Sequence, residues 1–334
     1  MASQAHATQP AAVASTVPHT EARVVACPVC ASPMTSARTA RRLARRLHPD
    51  DLRITDLRYG TTLALRHCRA CGFVFAEAEE LAELTALYGA LIDPEYEASE
   101  DARTLQMRWL VERALAVRPD ARSLLDVGAA SGLLVLEARR RGLDAVGVEP
   151  SRALAERARV AHGVEVVQGA FPHPALAGRQ FDIVFLADVL EHVADPVGLL
   201  RAARDALALH GVLVVVTPDL GSLAARMLRG RWWHFRLAHV GYFDHHSLVA
   251  ATSRAGLAWA LEARARWFLP VGYLVERLAS GLLRAPALRG MSSIGRSPRS
   301  PTTRRVISAL GGRVIQLNLR DSFVVFLRRR EDVA

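Results

Sequence analysis

A chain of 334 residues, 51% hydrophobic and 23% charged, is long enough for a packed α/β core with an appended module, and its ordinary composition excludes a wholly disordered, collagen-like or disulfide-scaffold protein. Its longest apolar runs, such as Val212 to Val216, fall far short of the roughly 20 residues that cross a bilayer. The net charge of +10 comes from 43 arginines without a single lysine and gathers in the flanks around a slightly acidic centre, a pattern that fits solvated Arg faces better than a uniform phosphate-binding surface.

Residues 1–22, rich in Ala, Ser, Thr, Gln and Pro, lack periodicity and are expected to be a disordered lead-in. No basic stretch followed by an apolar run marks a signal peptide, so a cytoplasmic location is expected. The four cysteines fall into two pairs, Cys27-Pro-Val-Cys30 and Cys68-Arg-Ala-Cys71. A tight CxxC turn brings two thiolates to one ion, and a second turn completes the tetrahedron that zinc prefers. Gly72 supplies the permissive backbone such a knuckle needs. Two disulfides would require export, and a redox pair would require a thioredoxin-like context. Residues 23–76 are therefore expected to form a zinc-ribbon-like module with a structural, non-catalytic zinc, leaving His48 and His67 no role as ligands. The 37-residue spacer includes a basic helical stretch, Ala37 to Leu47, and an extended run, Leu52 to Leu65. An acidic helix, Glu77 to Leu87, and an apolar-periodic helix, Arg103 to Val117, make a connector over 77–120 that Pro119 stops.

Next, an apolar strand, Leu124 to Val127, enters a Gly-containing turn; a helix follows over Leu133 to Arg140, and a second strand, Ala145 to Val148, ends at Glu149. This βαβ pattern exposes backbone N–H groups near a helix N-terminus, and a carboxylate 21 residues beyond Gly128 is placed to accept both ribose hydroxyls of a nucleoside. A dinucleotide fingerprint would need a small residue at 133, where Leu stands.

With Asp126 before the turn, Asp-x-Gly-x-Ala-x-Gly resembles motif I of class I S-adenosylmethionine-dependent methyltransferases. The resemblance runs on in order: Val164 to Val167 as a third strand, Phe181-Asp-Ile-Val-Phe-Leu-Ala-Asp-Val-Leu-Glu-His-Val as a fourth with its post-strand motif, Gly211-Val-Leu-Val-Val-Val-Thr-Pro as a fifth, and Leu257 to Phe268 with Ser322 to Leu327 as a closing antiparallel hairpin. It implies a Rossmann-like, doubly wound, seven-stranded sheet with an antiparallel last strand over 121–334. It also implies that Asp126, Gly128, Ala129, Ala130, Ser131 and Gly132 lie at the methionine end of the cofactor, Glu149 and Pro150 at the ribose, Gln168, Gly169 and Ala170 at the adenine, and Asp188 and Val189 beyond the fourth strand. The fourth strand ends without the Asn/Asp-Pro-Pro-Tyr of members that methylate planar nitrogens. Two histidines are candidate catalytic bases: His192, after the fourth strand, and His239, whose His-Val-Gly-Tyr-Phe stretch is similar to one in zinc-containing sugar methyltransferases. Ala238 stands where those enzymes carry the Glu of a Glu-His pair. His245 and His246 begin a helix that runs through Ser247 to Ala255.

Residues 263–310 are expected to be a basic helical insertion that covers the core or the substrate cleft, with peripheral membrane contact as the alternative, and 290–303 an exposed loop. The chain thus resembles bacterial methyltransferases that join an N-terminal zinc module to this fold and act on oxygen or carbon of sugars, secondary metabolites or quinone-like acceptors. Two other readings stay open: an RNA methyltransferase whose basic segment 38–69 contacts phosphates, against which Tyr59 alone is available for base stacking, and a non-catalytic cofactor-binding protein.

Overall fold

A computed structural model describes residues 25–38, 41–42, 48, 51, 59–77, 81, 84, 100–271 and 313–333. The lead-in 1–22, most of the stretch 43–58, nearly all of the acidic helix 77–87 and the part of the insertion from 272 to 310, with its loop 290–303, lie outside them.

In chain order the N-terminal strands are β1 (Thr35–Arg38), β2 (Arg41–Arg42), β3 (Thr61–Thr62), β4 (Leu65–Cys68) and β5 (Val74–Ala76). Helix α1 (Glu100–Val117) leads to β6 (Ser123–Val127), α2 (Leu133–Arg139), β7 (Asp144–Glu149), α3 (Arg152–His162), β8 (Val166–Gln168), β9 (Phe181–Ala187), α4 (Pro196–Asp205) and β10 (Leu207–Pro218). Then come α5 (Leu223–Leu228), β11 (Gly241–Tyr242), α6 (His245–Arg254), β12 (Leu257–Arg264), β13 (Trp267–Pro270), β14 (Val314–Leu317) and β15 (Ser322–Arg329).

Seven strands form one sheet in the order β12-β15-β10-β9-β6-β7-β8. Strands β10, β9, β6, β7 and β8 run parallel, and β15 enters antiparallel between β10 and β12, with Val215 opposite Val325 and Val325 opposite Glu262. The expected hairpin and antiparallel last strand are both present. The central strands are continuous apolar runs because both faces are covered, and successive side chains feed opposite layers. Leu125, Val184, Leu186, Leu213 and Val215 pack on the α4 and α6 side; Leu124, Ile183, Phe185, Val212 and Val214 pack on the side of α1 and α2.

Local signals set the helix ends. Ser151 caps α3 by accepting from Leu154 N–H, and Gly163 closes it at φ 64°. Asp195 caps α4 with Pro196 in its first turn, and Asp244 forms a capping box with Ser247 on α6.

The helical reading of 37–47 fails where the structure describes it. Thr35 to Arg38 is extended and pairs Thr35 with Cys68 and Arg38 with Leu65, because ladder bonds to β4 outweigh the local helical pattern; β2 is extended too. The insertion also begins extended and not helical. Ala263 and Arg264 end β12, and Trp267 to Pro270 pairs with Val314 to Leu317, which satisfies backbone groups at a point where Pro270 would break a helix.

The cysteine module is continuous with the large sheet's surroundings. Its own sheet has the order β1-β4-β5-β11, so its fourth strand comes from residues 241–242, between α5 and α6. Phe73 lies 4.5 Å from Phe243, ring centroid to centroid, and both are buried, each worth about 1.5–3 kcal/mol of apolar transfer. A Cβ on Gly241 would sit 2.9 Å from the Phe73 ring, so the approach of β11 to the module requires glycine. Cys27, Cys68 and Cys71 share one continuous core with Leu125, Val184 and Val215.

Candidate active site: a glycine turn and a histidine cluster

The four cysteines converge as unbridged thiols. Cys27 Sγ lies 3.6 Å from Cys71 Sγ and Cys30 Sγ 3.5 Å from Cys68 Sγ, and all four sulfurs fall within 4.8 Å of one another. A zinc with ~2.3 Å bonds to four sulfurs holds them roughly 3.8 Å apart, so the cluster has the right size. The residue after each CxxC takes a left-handed conformation, Ala31 at φ 59° and Gly72 at φ 79°. Each turn then aims backbone N–H groups at sulfur: those of Val29 and Cys30 at Cys27, that of Ser32 at Cys30 and that of Phe73 at Cys71.

The residues expected at the cofactor gather at the C-terminal ends of β6, β7, β8 and β9. The chain departs from β6 toward β7 and β8 on one side and returns through β9 on the other, so this is the switch point where open α/β sheets bind ligands. Gly128 has φ 77° and Gly132 φ 78°. A Cβ on Gly128 would lie 2.5 Å from Val189 Cγ2, which ties the turn to the end of β9; a Cβ on Gly132 would strike Val164 and Ala158, which lets α2 pack against α3. Ala130 also has positive φ, 47°, and its N–H donates to Glu149 Oε2 at 2.9 Å while Ser151 N–H donates to Oε1 at 2.8 Å. Glu149 therefore holds the turn from the neighbouring strand and keeps further lone pairs on both oxygens. Burial raises its pKa despite those two donors. Asp126, buried in front of the turn, is pushed up to about 7 by burial and by Glu149.

Gly169 N–H donates to the Glu149 carbonyl at 2.9 Å and Gln168 Nε2 to the Pro150 carbonyl at 3.2 Å, so the segment after β8 is tied to the segment after β7. Ala170, Pro150 and Gln168 are exposed, whereas Ala129 and Ser131 are buried. Asp188 has positive φ, 56°, donates its N–H to the Val216 carbonyl, and is raised to about 6 by burial against the pull of Arg103.

His192 and His239, alternatives in the sequence, belong to one cluster. Their rings meet edge to face at 4.7 Å, and ligand atoms of Glu191, His192 and His239 all lie within 4.8 Å of one another. His192 Nδ1 is 2.9 Å from the Ala238 carbonyl, which can only accept, so Nδ1 carries the proton and Nε2 the lone pair. Burial lowers His192 to about 4 and, with His192 and His234 nearby, takes His239 well below the ordinary histidine value; both imidazoles are neutral at neutral pH. Burial and Asp188 raise Glu191 well above the usual carboxylate range. By contrast, His245 is solvent-exposed at the head of α6 and faces Glu262.

The cluster hangs on the cysteine module. Val240 N–H donates to the Glu191 carbonyl at 2.8 Å, and the Val240 carbonyl accepts from Ala76 N–H at 2.7 Å, so the residue after His239 bridges β5 to the end of β9. Several contributors carry no motif. Thr217 Oγ1 donates to Glu191 Oε2 at 2.9 Å. Asp321, buried before β15, accepts from Trp233 Nε1 at 2.8 Å, Trp267 Nε1 at 2.9 Å and His234 Nε2 at 3.2 Å, and thereby fixes the loop that presents His239. The density of aromatic and imidazole residues over 231–246 signalled Trp233 and His234, whereas no local pattern signalled Thr217 or Asp321.

Residues 99–262 match the model of a family described as methyltransferase domain. A ubiquinone biosynthesis O-methyltransferase of Azorhizobium caulinodans is 37% identical over 113 residues, 29% of this chain and 44% of that protein, so this match spans less than half of the relative. A ubiquinone biosynthesis O-methyltransferase of Acinetobacter baumannii is 24% identical over 233 residues, covering 62% of this chain and 98% of that protein. Among solved structures, a sugar N-methyltransferase from Streptoalloteichus is 31% identical over 33% of this chain and 46% of its own, with a TM-score of 0.30. The glycine turn, the carboxylate of Glu149 and the parallel strands β6 to β10 all lie within that match, so residues 99–262 carry a segment similar to the methyltransferase-domain family.

Proposed function

We propose that the chain transfers the methyl group of S-adenosylmethionine to an oxygen or carbon of a small metabolite, a sugar, secondary metabolite or quinone-like acceptor. The observation that carries this reading is the juxtaposition of two neutral imidazoles, His192 and His239, beside Glu191 and within a few residues of Val189, which packs on the cofactor turn. Oxygen and carbon acceptors must lose a proton around the transfer, and neutral imidazoles suit that task; a neutral amine needs no such help. The names of the curated relatives, which are O-methyltransferases, support an oxygen acceptor.

In this reading Asp126 and the turn 128–132 receive the methionine end, Glu149 and Pro150 the ribose, Gln168 to Ala170 the adenine edge, and Asp188 with Val189 the side nearest the acceptor. The cofactor brings the activated carbon and leaving group. The protein aligns nucleophile, methyl and sulfur for in-line displacement, and alignment of this kind contributes several kcal/mol. Zinc at Cys27, Cys30, Cys68 and Cys71 is proposed as structural: four thiolates close its coordination shell, and the module then anchors the strand that follows His239.

Two described arginines of the basic segment, Arg38 over the Phe235 ring at 5.4 Å and Arg66 on Glu77 and Thr35, are engaged within the module, which supports the small-molecule reading over RNA at those two positions. No helix among the described residues is long and apolar enough to cross a membrane. Isothermal calorimetry with S-adenosylmethionine tests the cofactor assignment, with binding expected for the parent chain and none for Gly128→Arg; equal binding by both would overturn it. A methyl-transfer screen against hydroxylated acceptors tests the acceptor class.

A further inference from the structure

We propose that Asp321 is a positioning residue for the methyl transfer, its buried carboxylate setting Trp233 and Trp267 as the walls against which the acceptor's ring lies beside His239. The inference deepens the functional reading above and rests on it for the acceptor.

Topology places these residues at the same end of the sheet as the histidine cluster. Strand β15 runs antiparallel to β10 and begins with Ser322 opposite Pro218, so Asp321 stands at the edge where β6, β7, β9 and β10 end. Its carbonyl accepts from Asp219 N–H at 2.8 Å, which ties it to the end of β10, and its charge adds to the burial that raises Asp188 after β9. The carboxylate then gathers two segments remote in sequence. Oδ2 accepts from Trp233 Nε1 at 2.8 Å and from His234 Nε2 at 3.2 Å, while Oδ1 accepts from Trp267 Nε1, on β13, at 2.9 Å. His234 in turn stacks on His239, ring centroids 6.1 Å apart and planes 19° apart, and lies 6.0 Å from the Trp267 ring.

The pattern of burial argues for orientation over packing. Asp321 is 0% exposed and burial opposes its ionisation, yet the His234, Trp267 and Trp233 donors hold it below the ordinary carboxylate range. Burial takes His234 below its ordinary value despite Asp321, so the charge faces three neutral N–H groups, and among the described residues no arginine pairs with it. A buried anion without a cation is costly. Packing alone fixes a tryptophan in this loop: Trp232 is 0% exposed and its Nε1 has no hydrogen-bond partner. It is the half-buried Trp233 and Trp267 that receive the charge-assisted bonds. An indole held by its N–H edge has its rotation fixed and a π face left for contact, which grips a ring at small cost in side-chain entropy. The ligand chemistry that fits is a flat ring face, the π face of an arene or the C–H face of a pyranose, with its hydroxyl presented to His239. The imidazole takes the hydroxyl proton, the oxygen's electron pair forms a C–O bond to the methyl carbon, and the C–S pair returns to sulfur, so the sulfonium becomes a neutral thioether.

The test titrates two ring probes, catechol and methyl β-glucopyranoside, against the full chain saturated with S-adenosylhomocysteine while indole emission is followed. The parent chain is expected to bind one probe with quenching, and which one it binds tells an arene from a sugar. Trp267→Phe keeps a ring but loses the N–H and should remove most of the quenching; Trp233→Ala should weaken probe binding about 10-fold, the size of one lost stacking contact. Turnover of the quenching probe is then read as S-adenosylhomocysteine release from S-adenosylmethionine. Asp321→Asn keeps the size of the side chain but turns an amide N–H toward one of the donors. It should lower kcat about 100-fold, the cost of misplacing reactants by ~1 Å, with calorimetric S-adenosylmethionine affinity within a few-fold of the parent. Circular dichroism checks each fold, and Trp267→Phe carries the test if Asp321→Asn does not fold. The proposal is overturned if neither probe alters the parent's emission, or if the folded variants keep the parent's kcat and probe affinity and differ only in melting temperature. A parent chain that binds a probe yet transfers no methyl group would instead sink the functional reading and leave the ring site standing.

Discussion

The thiol cluster and the Glu191, His192, His239 cluster are built in opposite ways. Each pair of cysteines comes from four consecutive residues whose turn is closed by its own backbone, so two short words of sequence specify a site enclosed by four sulfurs. The second cluster takes two side chains from the end of β9 and one from a loop 47 residues further on, and it depends on Thr217 from β10 and on Asp321 from the far end of the chain. The first is closed and local and suits a structural role. The second is assembled from distant segments and leaves His239 Nδ1 buried without a hydrogen-bond partner, so it keeps polar capacity for chemistry. They are also linked: strand β11, directly after Val240, completes the sheet that carries Cys68, so the local site steadies the assembled one.

The contrast can be broken or sharpened experimentally. The largest effect is expected from Gly128→Arg, which needs space where Val189 Cγ2 would lie 2.5 Å from even a Cβ and which penalises a positive φ; S-adenosylmethionine binding should vanish by calorimetry while the cysteine site keeps its metal content. Next, His239→Ala should cost about 10²–10⁴ in turnover with cofactor affinity within a few-fold of the parent. Retained turnover would move the acceptor chemistry elsewhere. Third, Cys27→Ser with Cys71→Ser, or removal of zinc by a chelator, should lower stability by several kcal/mol in thermal or denaturant unfolding. If the two sites are coupled as the β5-to-β11 pairing implies, a mildly chelated but still folded sample loses turnover before it loses cofactor binding.

The smallest expected effect concerns Asp126. Its folded-state pKa of about 7 lies above the ordinary aspartate value of 3.8, so the native chain binds an extra proton between those values and this group's contribution to stability falls as pH rises from about 4 to about 7. Asp126→Asn should therefore raise the melting temperature at pH 8 relative to the parent and give no such gain near pH 4, which paired melting curves at the two values would check.

Much of the cofactor half was legible because its logic is sequential. The run from Leu124 through Gly128 to Glu149 is one βαβ unit, and its spacing alone puts the carboxylate of Glu149 beside the turn, where Ala130 N–H meets it. The CxxC pairs were legible for the same reason. The helical readings of 37–47 and of the start of 263–310 failed because amphipathic spacing was read without knowing that β4 and β14 offered unpaired backbone edges. Glu191 was visible within a motif yet had no evident partner until folding placed His239 beside it.

What the amino-acid order determined by itself was every feature held within one turn or one crossover: the paired cysteines, the glycine bend, the strand-end acids and the helix caps, since these rest on local dihedral preferences and short spacings. What only the tertiary structure decided was the meeting of residues 191, 192, 217, 239 and 321, the grafting of residues 241–242 onto the cysteine module, and the protonation states that burial imposes. Those depend on long-range packing, where the free energy lies in contacts between segments that no local pattern encodes.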